Sequence, residues 1–76
     1  MQQEEINAKL ESLGMRLKKL RLEKGYTNYE MFAFKNDIPR AQYGRYEKGS
    51  DLKLSSLFKV AKALGVTMEE LFKEFD

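Results

Sequence analysis

Apolar residues near the start of the chain fall at helical spacing. Ile6, Leu10, Leu13, Leu17 and Leu20 are separated by steps of four, three, four and three, which lines one face of a helix. Gly25 follows Lys24 as a helix-ending glycine. Gly14 interrupts the run at a cost of about 1 kcal/mol against alanine, so residues 3–12 are expected to fray or form a separate piece. Thr27 with Glu30 fits a capping box that opens a second helix reaching about Asn36. Pro39 biases Ile38 away from helical geometry but suits a first turn, which predicts a third helix from Pro39 or Arg40 to just before Gly49. Leu54, Leu57, Phe58, Ala61 and Leu64 make the apolar stripe of a fourth helix, ended by Gly65. Thr67 and Glu70 form a second capping box, opening a fifth helix with Met68, Leu71, Phe72 and Phe75 on one side. No sustained alternation and no internal repeat is visible, so the fold class is all-α. Five short helices are expected over residues 13–76, preceded by a helical extension over residues 1–12.

Composition narrows the function. A chain of 76 residues makes one domain and buries only about 60% of the surface it exposes when unfolded, leaving little room for an enclosed substrate cleft. It has no cysteine and no histidine, which removes disulfides, thiolate metal sites, the commonest metal ligand and the usual general base. No metal site, cofactor or enzymatic activity is expected. Glu69 and Glu70 are read as helix-capping residues rather than an acid/base pair, and Asp51 and Asp76 have no neighbours at metal spacing. No apolar run approaches the roughly 18 residues of a membrane span, and the first residues lack the order of a secretory signal. A cytoplasmic protein without a membrane partner is expected.

Charge is uneven. Residues 14–49 carry nine basic side chains against Glu23, Glu30, Asp37 and Glu47, a net +5, whereas residues 1–13 carry −2 and residues 50–76 carry −1. A basic middle between mildly acidic ends suits a nucleic-acid face. Within that middle, two short helices joined by about three residues over Tyr29–Lys48 describe a helix-turn-helix. Ala33 supplies the small side chain that lets the two backbones approach. Asp37 tolerates the left-handed conformation of a sharp turn. Phe32, Ile38, Tyr43 and Tyr46 fall where apolar bulk faces the domain, and Met15, Met31 and Met68 read as gap-fillers.

The chain resembles the phage-repressor and Cro-like helix-turn-helix proteins, the XRE family, over about residues 13–73. The residues that carry the resemblance are Leu13-Gly14-Met15-Arg16-Leu17-Lys18-Lys19-Leu20-Arg21 before Lys24-Gly25, and Arg45-Tyr46-Glu47-Lys48-Gly49. Leu57-Phe58-Lys59-Val60-Ala61-Lys62-Ala63-Leu64-Gly65-Val66 and Glu69-Glu70-Leu71-Phe72 complete the pattern. Departures are Asn36 in place of an apolar residue, Asp37 in place of the turn glycine, and tyrosines at both aliphatic core positions of the third helix. One residue is added between Gly25 and Tyr29, one is lost after Gly49, and Lys53 stands where a capping Ser or Thr is usual. The resemblance implies a lambda-repressor-like five-helix domain that regulates transcription by binding operator DNA. It also implies an ion pair between Arg21 and Glu47 that fixes the third helix against the domain.

Helix geometry then assigns roles. At 100° per residue, Arg40, Ala41, Gly44, Arg45 and Lys48 share one face of the third helix, and Tyr43 and Tyr46 point the other way. Arg40 and Arg45 are read as base-reading residues, with Ala41 offering its methyl to thymine and Gly44 leaving space for close approach to the groove. Asn28, Tyr29, Gln42, Lys48, Ser50 and Lys53 are the expected phosphate contacts. The expected partner is double-stranded DNA, bound as a homodimer, with terminal Phe75 as the dimer contact or, alternatively, the extension through Ile6 and Leu10. An antitoxin that represses its own operon, or a module binding another protein chain, are the alternative functions. Phe34, opposite the core side of the second helix, is either exposed or covered by Ile6 and Leu10.

Overall fold

The protein's structure, a computed structural model, describes residues 1–75; Asp76, the last residue of the expected domain, lies outside them. The first helix, α1 (Gln3–Glu23), is unbroken. Residues 3–12 are therefore its opening turns and not a separate piece. Gly14 explains the difference. It is buried where α1 crosses the end of a later helix, and a Cβ built on it would lie 2.5 Å from the Glu47 carbonyl oxygen and 2.7 Å from that of Tyr46. A residue that looks like a propensity defect is what permits the crossing. One turn earlier, Glu11 packs against Gly49, so the N-terminal half of α1 is tied to the same place.

Four further helices follow: α2 (Tyr29–Lys35), α3 (Arg40–Glu47), α4 (Leu54–Leu64) and the single-turn α5 (Met68–Leu71). They enclose one core of Leu13, Leu17, Phe32, Ala33, Tyr43, Tyr46, Leu57, Val60, Ala61, Leu64 and Leu71. Aromatic rings fill its centre, with Phe32 and Tyr43 centroids 5.0 Å apart and Tyr26 meeting Phe32 edge-on at 5.3 Å. Both tyrosines of α3 occupy core positions, as their phase requires.

The apolar face of α4 is rotated from the expected stripe. Leu57, Val60, Ala61 and Leu64 are inside, while Leu54 and Phe58 are 62% and 52% exposed. Phe34 is also exposed, at 67%, with no cover from α1. Of the three methionines read as gap-fillers, Met15 and Met31 lie at the surface and only Met68 packs against the core.

The second capping box is formed. Thr67 Oγ1 accepts from the Glu70 N–H at 3.0 Å, and Glu70 Oε1 accepts from the Thr67 N–H at 2.9 Å. Arg16 holds α5 from the other end, donating to the carbonyls of Glu70 at 2.7 Å and Leu71 at 3.2 Å. Phe75 lies beyond the helix and folds back, edge-on to Phe72 at 5.2 Å, beside Ala8 and Ser12 of α1. Its ring is half-buried within the chain. Among the described residues no helix is long and apolar enough to cross a membrane, and no cluster of acidic side chains is spaced to hold a metal.

Candidate nucleic-acid interface

The pair α2–α3 is built around a tight turn. Asp37 takes the left-handed conformation at φ 57°, and the Ile38 N–H donates back to the Ala33 carbonyl at 2.9 Å. Asn36, polar where bulk was expected, turns its amide inward and donates to the Phe32 carbonyl at 2.8 Å. It thereby satisfies a carbonyl at the helix end that would otherwise lack a partner. Ala33 is fully buried where the helices cross.

The N-cap of α2 is Asn28, not Thr27. Asn28 Oδ1 accepts from the Glu30 N–H at 2.7 Å and the Met31 N–H at 3.2 Å. The extra residue in this loop moves the cap one place along, and either residue type satisfies a capping position. These N–H groups are consequently engaged within the chain, so the start of α2 does not offer them to phosphate. Asn28 is exposed and Tyr29 half-buried, and the side-chain donors they keep are the Asn28 amide and the Tyr29 hydroxyl.

Burial sorts the residues of α3. Tyr43, Gly44 and Tyr46 face the domain, whereas Ala41, Gln42, Arg45 and Lys48 are exposed around Arg45 as the midline. Gly44 thus leaves the base-reading set. The direction its side chain would take is filled by Tyr29, whose ring would lie 2.7 Å from an added Cβ. Arg40, exposed in the first turn, sits toward α2 in a shallow groove with Asn28, Glu30, Met31 and Phe34. Gln42 lies on the opposite flank, in a groove shared with Ser56 and Lys59 of α4. Those two residues escaped sequence inspection because nothing in α4 marks which of its polar positions border α3. Lys48 ends the helix, and Ser50 and Lys53 are exposed on the connection to α4.

One ion pair fixes this helix from behind. Arg21 Nε donates to Glu47 Oε2 at 2.7 Å and Nη2 donates to Oε1 at 3.0 Å, a two-pronged contact with side chains only 4% and 8% exposed. Arg21 Nη1 donates to the Tyr26 carbonyl at 2.8 Å, so the guanidinium also ties down the loop before α2. The hydrogen bond to Glu47 raises the Arg21 pKa further above its already high value. The Tyr43 hydroxyl is buried beside this pair without a partner in hydrogen-bonding geometry. Burial first, then the Glu47 carboxylate, push its phenol well above the ordinary tyrosine range.

A helix-turn-helix family model matches residues 17–71, most of the chain. The chain belongs to the helix-turn-helix family of XRE type. Among curated relatives it is 39% identical over 64 residues to control protein C.MunI of Mycoplasma sp., a match covering 83% of this chain and 86% of that protein. It is 43% identical over 61 residues to YonR of Bacillus subtilis strain 168, an SPbeta prophage-derived uncharacterized HTH-type transcriptional regulator. That match covers 79% of this chain and 56% of the regulator's own length. No solved structure matches significantly. Within this family the all-helical, five-helix architecture is lambda-repressor-like, with α2 and α3 as the helix-turn-helix.

Proposed function

We propose that this protein regulates transcription by binding duplex DNA sequence-specifically, with α3 in the major groove. The observation that carries the proposal is the outward strip of α3. Ala41, Arg45 and Lys48 lie exposed along it, while the opposite side is locked to the domain by Tyr43, Tyr46 and the Arg21–Glu47 pair. A reading helix must present donors on a face whose orientation the domain does not let drift. Arg45 is the central base-reading residue, its planar fork matching the two acceptors of guanine, and Ala41 offers a methyl to thymine. Arg40 reaches base edges at the α2 end of the helix. Lys48, Ser50 and Lys53 contact phosphate on one side, Asn28 and Tyr29 on the other, and Gln42 supports the strand nearest α4.

The protein acts in the cytoplasm and reads DNA as a homodimer, each copy occupying a half-site about 34 Å from the next. Selection of bound sequences from random duplexes tests this directly. An enriched site with two-fold symmetry, bound with an affinity that falls steeply as salt rises, is the expected result. Absence of salt-dependent duplex binding would overturn the proposal.

A further inference from the structure

Gly44 is the one residue of α3 whose chemistry the DNA-reading role does not account for. Helix propensity favours alanine over glycine at an interior helical position, so a glycine there needs a reason. Its surroundings supply one. An added Cβ would meet Tyr29 at Cε1 (2.7 Å), Cζ (2.9 Å) and the hydroxyl oxygen (3.0 Å). The far end of the Tyr29 ring therefore occupies the space that any other side chain at position 44 would take.

We propose that the Tyr29 ring and the Gly44 notch form a seat that positions the Tyr29 hydroxyl as a phosphate contact at a fixed place beside the base-reading strip. The inference rests on the DNA-binding reading above and adds to it the device that sets the helix's register on the strand.

Three features hold the ring there. Tyr29 is the first residue of α2, and its backbone is fixed by the Asn28 cap on the next two N–H groups. On the α3 side the Tyr43 ring flanks it, with centroids 6.4 Å apart. Tyr29 is half-buried, and its hydroxyl, unlike that of Tyr43, is not a buried atom lacking a partner, so its tip remains within reach of solvent. Helical spacing places Gly44 one turn after Arg40 and Ala41, one turn before Lys48, and next to Arg45. The hydroxyl resting over Gly44 thus stands on the rim where the buried side of α3 gives way to the exposed strip. Among the described residues no hydrogen bond within the chain uses that hydroxyl, leaving it available to a phosphate oxygen. Phosphate contacts fix orientation and base contacts read sequence. A phosphate donor seated on the residue beside Arg45 couples the two, so displacing the ring shifts the strand relative to the arginine.

A thermodynamic cycle over the parent, Gly44→Ala, Tyr29→Ala and the double variant tests the seat, with melting temperature and affinity for a selected duplex as readouts. In the parent background Gly44→Ala is expected to push the Tyr29 ring off its seat, weakening the selected duplex about tenfold and changing the melting temperature less favourably than it does without the ring. In the Tyr29→Ala background the same alanine is expected to leave melting unchanged or raised, and affinity within about twofold, because the ring it would strike is gone. Tyr29→Phe keeps the ring and removes the donor: melting like the parent, affinity about threefold lower, and an unchanged salt slope are expected, since a hydroxyl releases no counterion. An equal loss of affinity from Gly44→Ala with and without Tyr29 would overturn the proposal, because it would mean that DNA itself needs the space. So would an equal change in melting temperature from Gly44→Ala with and without the ring, or undiminished affinity in Tyr29→Phe. If the parent binds no duplex, the DNA-binding reading and the positioning role fall together, and the melting arm still decides the ring-and-notch contact by itself.

Discussion

Arg21 on α1 grips Glu47 at the end of α3 through two hydrogen bonds of 2.7 and 3.0 Å, across 26 residues of sequence. Both side chains are almost wholly buried, and the same guanidinium reaches back to the Tyr26 carbonyl. One contact therefore joins α1, the loop that opens α2, and α3. Removing Glu47 strands a buried arginine. Glu47→Ala is expected to cost about 3 kcal/mol, at the lower end for a broken buried pair. That lowers the melting temperature of a domain this size by about 12 °C or more. Thermal unfolding of the variant beside the parent checks it. Unchanged melting would show that the pair does not hold the helix.

Gly14 gives a second expectation, opposite in sign to helix propensity. Alanine is favoured by about 1 kcal/mol in an open helix interior. Here its Cβ would meet the backbone carbonyls of Tyr46 and Glu47, which cannot swing aside as a side chain can. Gly14→Ala is therefore expected to destabilise by about 1–3 kcal/mol, the usual penalty of overpacking. Denaturant unfolding would show it as a lower midpoint at constant slope. A stabilised variant would contradict the close crossing of α1 and α3.

A third expectation concerns acid. The Thr67 backbone N–H and then its hydroxyl hold the Glu70 carboxyl below the usual carboxylate range. A group depressed in the folded state stabilises fully above its unfolded value, and the contribution is lost as pH falls through the folded one. Glu70→Gln should accordingly melt lower than the parent at neutral pH. The two should converge as the pH drops below the ordinary glutamate range, about 4.3. A melting difference that persists unchanged into strong acid would mean that the capping carboxylate is not its cause.

The order of helices, the turn at Asp37 and the inward phase of Tyr43 and Tyr46 are legible from spacing alone, because apolar periodicity records which side of a helix is buried. What spacing does not record is what the buried side meets. Gly14 and Gly44 read as weak points or as room for DNA, yet each is a notch for a group far along the chain: the carbonyls ending α3 in one case, the Tyr29 ring in the other. The stripe expected on α4 differs from the buried face for a related reason. Leu54 and Phe58 continue the three-four pattern, but Val60 shares the side taken by Leu57, Ala61 and Leu64 and wins the core position. Thr27 and Asn28 are adjacent residues of equal capping chemistry, and only the loop's path chooses between them. Arg16 shows nothing in sequence of its grip on α5, since its acceptors are backbone carbonyls 54 and 55 residues away.

Base reading by α3 through Arg45 is decided by a binding series on Arg45→Ala and Lys48→Ala, using selected and scrambled duplexes at several salt concentrations. Arg45 stands at the midline of the exposed strip, whereas Lys48 caps the helix end as a flexible point charge. Arg45→Ala is predicted to cost about 1–3 kcal/mol on the selected duplex and to relax the requirement for one base pair, with little change on scrambled DNA. Lys48→Ala is predicted to weaken both duplexes about equally and to reduce the salt slope by about one unit. Equal losses on selected and scrambled DNA from Arg45→Ala would contradict base reading by α3.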